Sequence, residues 1–185
     1  MIDDVLKETR AKMKSTLSVY EQDLHGIRSS RASTGLVDRL EIDYYGTPTE
    51  LRQLANISTP EPMQILIRPF DAGTVKGIEK AIMEANIGAR PQIDGAQIRI
   101  NMPALTRERR MELVKILHKR SEDARISLRN IRRSSMDDLK EFEKEGMISE
   151  DDLERGESEV QKLTDQFMTQ VEDMTKNKEK EMLEV

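Results

Sequence analysis

The chain has 185 residues, of which 36% are hydrophobic and 35% charged, and its formal net charge is −5. This composition fits an elongated soluble protein of one domain or two small ones and disfavours a large globular core. The absence of cysteine excludes disulfides, thiolate metal sites and cysteine nucleophiles.

The N-terminus has neither the basic and apolar regions of a signal peptide nor the Arg/Ser richness of a transit peptide. No later segment approaches the length of apolar residues needed to span a membrane. We therefore expect a cytoplasmic protein without a membrane partner.

Residues 2–27 are predicted to form one long helix with a single buried face. The apolar residues recur at steps of three, four or their sum, which is the spacing of an amphipathic helix. They are Ile2, Leu6, Met13, Leu17, Tyr20, Leu24 and Ile27.

The pattern changes between residues 30 and 105. Residues 39–44 alternate between polar and apolar, residues 46–48 favour a turn, and residues 63–68 and 97–100 are also typical of strands. Asp71 can cap a short helix that carries Val75, Ile78 and Ile82 and ends near Gly88. The segment is predicted to be a small inserted domain of mixed β/α/β type.

Two more helices follow the insertion. A second run, residues 106–145, keeps apolar and small residues at helical spacing and ends near Gly146, which makes a helix roughly 60 Å long. A third helix begins at Ser149, whose hydroxyl can cap the backbone amide of Asp152. The acidic residues of its first turn suit the helix dipole.

No one of these helices has enough apolar width to be stable alone, so the three stripes are expected to bury one another in an antiparallel bundle. The predicted fold is therefore α+β, with a discontinuous three-helix bundle (residues 1–29 and 106–185) and an inserted α/β domain (residues 30–105). The connections are residues 29–33 and 103–105.

Four arginines form a stripe on the second long helix. At about 100° per residue, Arg125, Arg129, Arg132 and Arg133 fall within an arc of about 100°. Residues 106–135 contain ten Lys/Arg against four Asp/Glu, whereas residues 149–185 contain five against twelve. This asymmetry indicates a face that binds a polyanion on an otherwise acidic molecule.

The stripe has a simpler interpretation, because most runs of charge are solvated faces and Glu122, Asp123 and Asp137 could form local ion pairs. Arginine rather than lysine at all four positions favours phosphate binding, since the planar guanidinium can contact phosphate through two hydrogen bonds. A second basic group could grip the same large nucleic acid. It consists of Arg28, Arg31, Arg109 and Arg110, where the chain enters and leaves the insertion.

Other candidate sites receive little support. His25 and His118 have no partner at metal-site or acid/base spacing, and no glycine-rich phosphate loop is present. Tyr44 and Tyr45 are better explained by core or turn packing than by base stacking. We expect no catalytic residue, no cofactor and no bound metal, and hence a protein that is not an enzyme.

Several short motifs point to a family of proteins more specifically than these physical arguments can. They are IR (27–28), RAS (31–33), YYGTPT (44–49), LRQLA (51–55), Gly95 with IR (98–99), LT (105–106) with ERR (108–110), RNIRR (129–133), ISEDD (148–152) and QKLTD (161–165). In this order, and across essentially the whole length, the chain closely resembles the ribosome recycling factors.

The resemblance implies an L-shaped, two-domain monomer with the dimensions of transfer RNA. It implies a factor that binds the large subunit of a post-termination ribosome and splits the subunits together with elongation factor G and GTP, which the partner hydrolyses. It also implies a set of side chains that face ribosomal RNA. They are Arg28, Arg31, Arg110, Arg129, Arg132 and Arg133.

The resemblance further implies a hinge at Ser29, Ser30, Pro103, Ala104 and Leu105. The family commonly has Thr-Gly where this chain has Ser29-Ser30, and a second proline where Ala104 follows Pro103. Serine resists the positive φ that glycine allows, whereas the loss of a proline frees φ, so the two changes act on flexibility in opposite directions.

Two other functions stay open at the level of the residues. A coiled-coil adaptor or chaperone would use the long amphipathic helices and the acidic third helix against protein partners. An enzyme could be built on Asp43, Asp71 or Asp94 of the insertion, but their spacing forms no recognisable acid/base pair.

Overall fold

The structure is a computed structural model, and it describes residues 1–183. In chain order the helices are α1 (Ile2–His25), α2 (Leu51–Leu54), α3 (Val75–Ala85), α4 (Arg107–Lys144) and α5 (Glu150–Leu183). The strands are β1 (Glu41–Tyr44), β2 (Thr47–Glu50), β3 (Ala55–Glu61), β4 (Gln64–Pro69), β5 (Pro91–Asp94) and β6 (Gln97–Asn101). Long helices and small antiparallel sheets confirm the predicted α+β class.

Backbone contacts divide the chain into two compact units. The helical unit contains Met1–Asp23 and Lys115–Glu179, and the sheet unit contains Leu24–Val114 and, of the described residues that follow, 180–183. The domain boundaries predicted from the sequence, after residues 29 and 105, stay a prediction.

Within the helical unit, contacts between hydroxyl groups of different helices show the directions in which the helices run. Thr9 Oγ1 on α1 lies 2.6 Å from Ser135 Oγ on α4. Thr175 Oγ1 on α5 lies 2.7 Å from Tyr20 Oη on α1 and 3.0 Å from Ser121 Oγ on α4. Because higher numbers on α1 meet lower numbers on α4, these two helices are antiparallel, and the chain forms the predicted three-helix bundle.

The apolar faces of the three helices meet in the bundle core, as the helical spacing predicts. At one end Gly156 of α5 packs so closely that a Cβ atom there would lie 3.1 Å from Leu139 Cδ1 of α4 and 3.6 Å from Ile2 Cγ2 of α1. Fully or largely buried apolar residues of this unit include Val5, Met13, Tyr20, Leu117, Leu128, Leu139, Val160 and Val171.

A capping box begins α5, as the sequence predicts. The backbone amide of Asp152 donates to Ser149 Oγ at 3.2 Å, while the amide of Ser149 reaches Asp152 Oδ2 at 3.4 Å. Hydrogen bonds from the Ser149 side chain and backbone lower the pKa of Asp152. Gly146 has φ of +72°, which suits a residue that follows the end of α4 at Lys144.

The sheet unit contains two antiparallel sheets. The larger has the strand order β3-β4-β6-β5, and β1 and β2 form a separate hairpin. In the larger sheet Ile67 of β4 pairs with Ile57 of β3 and Ile98 of β6. The side chains of this unit with 0–1% exposure are all apolar, and helix α3 contributes Ile78 and Ile82 to this core.

The sequence pattern missed part of the insertion. Strands β2, β3 and β5 and the single turn α2 were not predicted. The turn of the β1–β2 hairpin lies at Tyr45 and Gly46, whereas Thr47 and Pro48, predicted as part of the turn, belong to β2. Helix α3 ends at Ala85, before the predicted Gly88, because Asn86 takes the left-handed conformation that ends a helix.

Candidate nucleic-acid interface

Helix α4 presents its arginines beside its buried face. Ala124 and Leu128 of α4 are buried, so the residues next to them in the helical projection lie at the margin of the core. Arg125, Arg129 and Arg132 are accordingly half-buried, and Arg133 is exposed. Such a margin lets the aliphatic stems pack on the bundle while the guanidinium groups reach solvent.

Glu122 neutralises part of the stripe. Its carboxylate accepts a hydrogen bond from Arg129 Nη2, and its Oε2 lies 3.5 Å from Arg125 Nη1. The hydrogen bond from Arg129, followed by the Arg129 charge and the contact with Arg125, lowers the pKa of Glu122. The local pairing that the sequence suggested for Glu122 is therefore present, but one carboxylate serves two arginines and a positive charge remains.

Arg132 and Arg133 keep their charges. Arg132 Nη1 donates to the neutral amide oxygen of Gln161 on α5 at 3.2 Å. Within residues 1–183, the guanidinium of Arg133 has no hydrogen bond or ion pair. The uncompensated charge of the stripe thus concentrates at the Arg132–Arg133 end.

The second basic group lies in the sheet unit. Arg28 Nη2 donates to the backbone carbonyl of Pro103, and burial, followed by the charge of Arg109, lowers the pKa of Arg28. Arg109 is paired with Glu112, 2.7 Å from Nη1 to Oε2. Arg31 is exposed. The structure therefore brings Arg28 and Arg109 close together and leaves Arg31 directed to solvent.

Arg110 differs from its neighbours on α4. It is half-buried, and its Nε is fully enclosed without a hydrogen-bond partner among the described residues. A buried donor without an acceptor is costly, by about 1–3 kcal/mol. A phosphate that contacts Arg110 from the solvent side could accept hydrogen bonds from its Nη1 and Nη2 groups.

Three of the five predicted hinge residues, Ser29, Ser30 and Pro103, form hydrogen bonds within the sheet unit. Ser29 is buried and its hydroxyl donates to Glu181 Oε1 at 2.6 Å, and the hydroxyl of Ser30 donates to the backbone carbonyl of Glu181 at 3.0 Å. Pro103 accepts the hydrogen bond from Arg28, Ala104 is exposed and Leu105 is half-buried.

Ser30 does not have the positive φ that would favour glycine at this position. Among the non-glycine residues from 1 to 183, only Tyr45 and Asn86 have positive φ. The serine at this position therefore carries no left-handed strain, and its hydroxyl makes a contact that glycine cannot make.

The residues that we considered for other chemistry are dispersed. His118 Nε2 lies 3.5 Å from Glu179 Oε1, and His25 is exposed. Tyr44 packs against the core of the sheet unit, whereas Tyr45 is 81% exposed, with its ring edge-on to Tyr44 and its hydroxyl donating to Asp71 Oδ2 at 3.0 Å. The described part of the chain has no cluster of three or more His, Cys, Asp or Glu residues suited to a metal ion. None of its helices is long and apolar enough to cross a membrane.

Gln161 is a part of the site that sequence reasoning did not assign. It belongs to one of the motifs, but only the packing of α5 on α4 places its amide beside Arg132. The available signal was its spacing of four from Asp165, which allows a hydrogen bond along one helix face.

A family model described as "Ribosome recycling factor" matches residues 20–183. Ribosome-recycling factors from Bacillus mycoides and Bacillus subtilis are 46% and 44% identical to this chain, and each alignment covers both proteins completely.

Solved structures agree with the sequence match. A solution structure of the ribosome recycling factor has a TM-score of 0.78 and 41% identity, covering all of this chain and 98% of that one. A structure described as models for the T. thermophilus ribosome recycling factor and the E. coli elongation factor G bound to the E. coli post-termination complex has a TM-score of 0.70 and 38% identity, with both chains fully covered.

Proposed function

The chain belongs to the ribosome recycling factor family, and from that premise we propose that it is a translation factor that recycles ribosomes. It binds the large subunit of post-termination complexes and, with elongation factor G and GTP, splits the ribosome into subunits. Relatives throughout the family are factors rather than enzymes, so the chain itself is not an enzyme. Its site of action is the cytoplasm.

The observation that carries this proposal is the uncompensated positive end of the α4 stripe. Arg132 and Arg133 face outward on a protein whose net charge is −5, and no carboxylate of the described residues neutralises them. Ribosomal RNA supplies a dense array of phosphates, and guanidinium groups bind phosphates with charge-assisted hydrogen bonds. Arg129 contributes to the same face despite its contact with Glu122.

Arg28, Arg31 and Arg110 form a second contact with ribosomal RNA. Arg31 supplies an exposed charge, and Arg110 supplies a guanidinium whose hydrogen bonding is incomplete in the protein alone. A large structured RNA offers phosphates to both basic groups.

Motion of the insertion completes the proposed mechanism. Elongation factor G, which hydrolyses the GTP, pushes the insertion, and residues 29–30 and 103–105 act as the hinge. Ser29 and Ser30 are hydrogen-bonded to Glu181. A motion about this hinge therefore either breaks these hydrogen bonds or moves Glu181 together with the two serines.

Subunit separation tests this function directly. The purified chain is mixed with post-termination ribosomes, a matched elongation factor G and GTP, and light scattering is followed over time. We expect a fall in scattering that requires all components. A folded sample that leaves the scattering unchanged, under conditions where the Bacillus subtilis relative lowers it, would contradict the proposal.

A further inference from the structure

Arg132 differs from the other arginines of the stripe in the group that holds it. Its Nη1 donates to Gln161 Oε1 at 3.2 Å, and Gln161 Nε2 donates to Asp165 Oδ1 at 2.8 Å. The three side chains form one hydrogen-bonded series that runs from an exposed carboxylate on α5 to a half-buried guanidinium on α4.

Asp165 determines which way the amide of Gln161 points. An ionised carboxylate only accepts hydrogen bonds, so it selects the NH₂ group of the glutamine and leaves the amide oxygen for Arg132. With the amide turned over, the NH₂ group would face the guanidinium, and two donors would meet. The charge of Asp165 therefore orients Gln161, and Gln161 in turn orients Arg132.

A neutral acceptor can hold an arginine without compensating its positive charge, whereas a carboxylate compensates it. Arg129 is held by Glu122, which cancels much of its charge, whereas the amide of Gln161 fixes the Arg132 guanidinium and leaves its charge intact. Ordering a long side chain on binding lowers the affinity by roughly twofold to tenfold. A guanidinium that is already ordered avoids part of this cost when it meets a phosphate.

We propose that Gln161 and Asp165 are positioning residues that hold the Arg132 guanidinium in place for a phosphate of ribosomal RNA. The inference rests on the proposed function, because it names how one contact of that site is prepared. Neither residue contacts the RNA in this account, and both act through Arg132.

The first test is Gln161→Ala, measured as equilibrium binding to purified large subunits over a series of salt concentrations. Affinity should fall roughly twofold to tenfold, the factor that corresponds to ordering one side chain. The slope of log affinity against log salt should stay unchanged, because no charge is lost. Gln166→Ala, at an exposed position of the same helix, serves as the matched control and should bind as the unmodified chain does.

Three further variants separate orientation from charge. Gln161→Glu puts a carboxylate against Arg132, so both the affinity and the salt slope should decrease. Asp165→Asn carries a donor as well as an acceptor, so it no longer selects one orientation of the Gln161 amide, and Asp165→Ala removes the acceptor altogether. Both variants should lower the affinity, by up to the loss expected for Gln161→Ala. Unchanged affinity in both variants would overturn the orienting role of Asp165.

The decisive comparison places Gln161→Ala in the Arg132→Ala background. If Gln161 acts through Arg132, the second substitution should change the affinity by less than about 1.5-fold, which lies within the additivity error for independent sites. A full additional loss there, or a Gln161→Ala variant that binds normally by itself, would overturn the inference. Failure of the unmodified folded chain to bind large subunits would instead refute the proposed function, and the inference with it.

Discussion

The helix bundle buries a series of hydroxyl groups, whereas the side chains of the insertion with 0–1% exposure are all apolar and its buried polar side chains, Gln64 and Thr74, each keep 8% exposure. Thr9, Ser121, Ser135 and Thr175 are all nearly inaccessible within the bundle, and each is hydrogen-bonded. In the insertion, buried isoleucines of neighbouring strands pair directly across the sheet.

The difference follows from how register is fixed in each region. A sheet fixes its own register, because a shift by one residue turns every buried side chain to the wrong face. Two long helices with repeating apolar stripes can slide by a turn at small cost, so a buried polar pair that matches in only one alignment specifies the register. We infer that the hydroxyl groups are the register markers of the bundle.

The largest expected effect is in the apolar core of the insertion. Ile67→Ala removes a side chain with 0% exposure between Ile57 and Ile98, and it should lower the free energy of unfolding by about 2–5 kcal/mol. Hydrogen exchange should accelerate in β4 and β6. Ile93→Ala on β5, where the side chain is 44% exposed, is the control and should have a much smaller effect. A comparable loss at both positions would contradict the placement of this core.

A smaller loss is expected when the hydroxyl cluster of the bundle is broken. Thr175→Val keeps the shape of the side chain but leaves the hydroxyls of Tyr20 and Ser121 without their shared partner, at a cost of about 1–3 kcal/mol. Chemical denaturation followed by helical circular dichroism measures it.

Thr169→Val provides the control for that substitution. Thr169 lies on the same helix, is exposed, and makes only a local hydrogen bond to the carbonyl of Asp165. The control should change stability by less than Thr175→Val. If the two variants are equally stable, the buried hydroxyls do not contribute to the bundle in the way described.

The smallest effect concerns pH. Hydrogen bonds from Ser149 lower the pKa of Asp152 in the folded chain, so its ionised form stabilises α5 at neutral pH and this contribution is lost as pH falls through the folded pKa. Asp152→Asn should therefore slightly lower stability at neutral pH, change it less near the acid end, and so flatten the acid side of the stability–pH curve. Thermal unfolding between pH 7 and pH 3 measures the difference, and identical curves would contradict this role of Asp152.

Much of the fold could be predicted from the sequence because the long helices repeat one pattern many times. The end of α4 and the start of α5 also had local signals, in Gly146 and Ser149 respectively. Strands β2, β3 and β5 were missed because they are mostly exposed or half-buried and contain proline, and β2 and β5 have only four residues each, so their patterns resemble loops.

Only the part of the candidate site that lies on a single helix could be predicted from the sequence. Helical spacing placed Arg129, Arg132 and Arg133 on a common face, and the resemblance assigned that face to RNA. Spacing along α4 could not reveal that Glu122 compensates one end or that Gln161 holds the other, because the second contact depends on how α5 packs on α4.

Binding of the Arg132→Ala variant to purified large subunits, measured across a salt series, tests the central claim most directly. Loss of one phosphate contact should weaken binding and make the slope of log affinity against log salt shallower by about 0.7–0.9, with thermal stability nearly unchanged. Lys162→Ala removes an exposed cation of α5 that is paired with Glu159, and it should change neither quantity appreciably. Unchanged affinity and slope for a folded Arg132→Ala variant would contradict the assignment of the α4 stripe to ribosomal RNA.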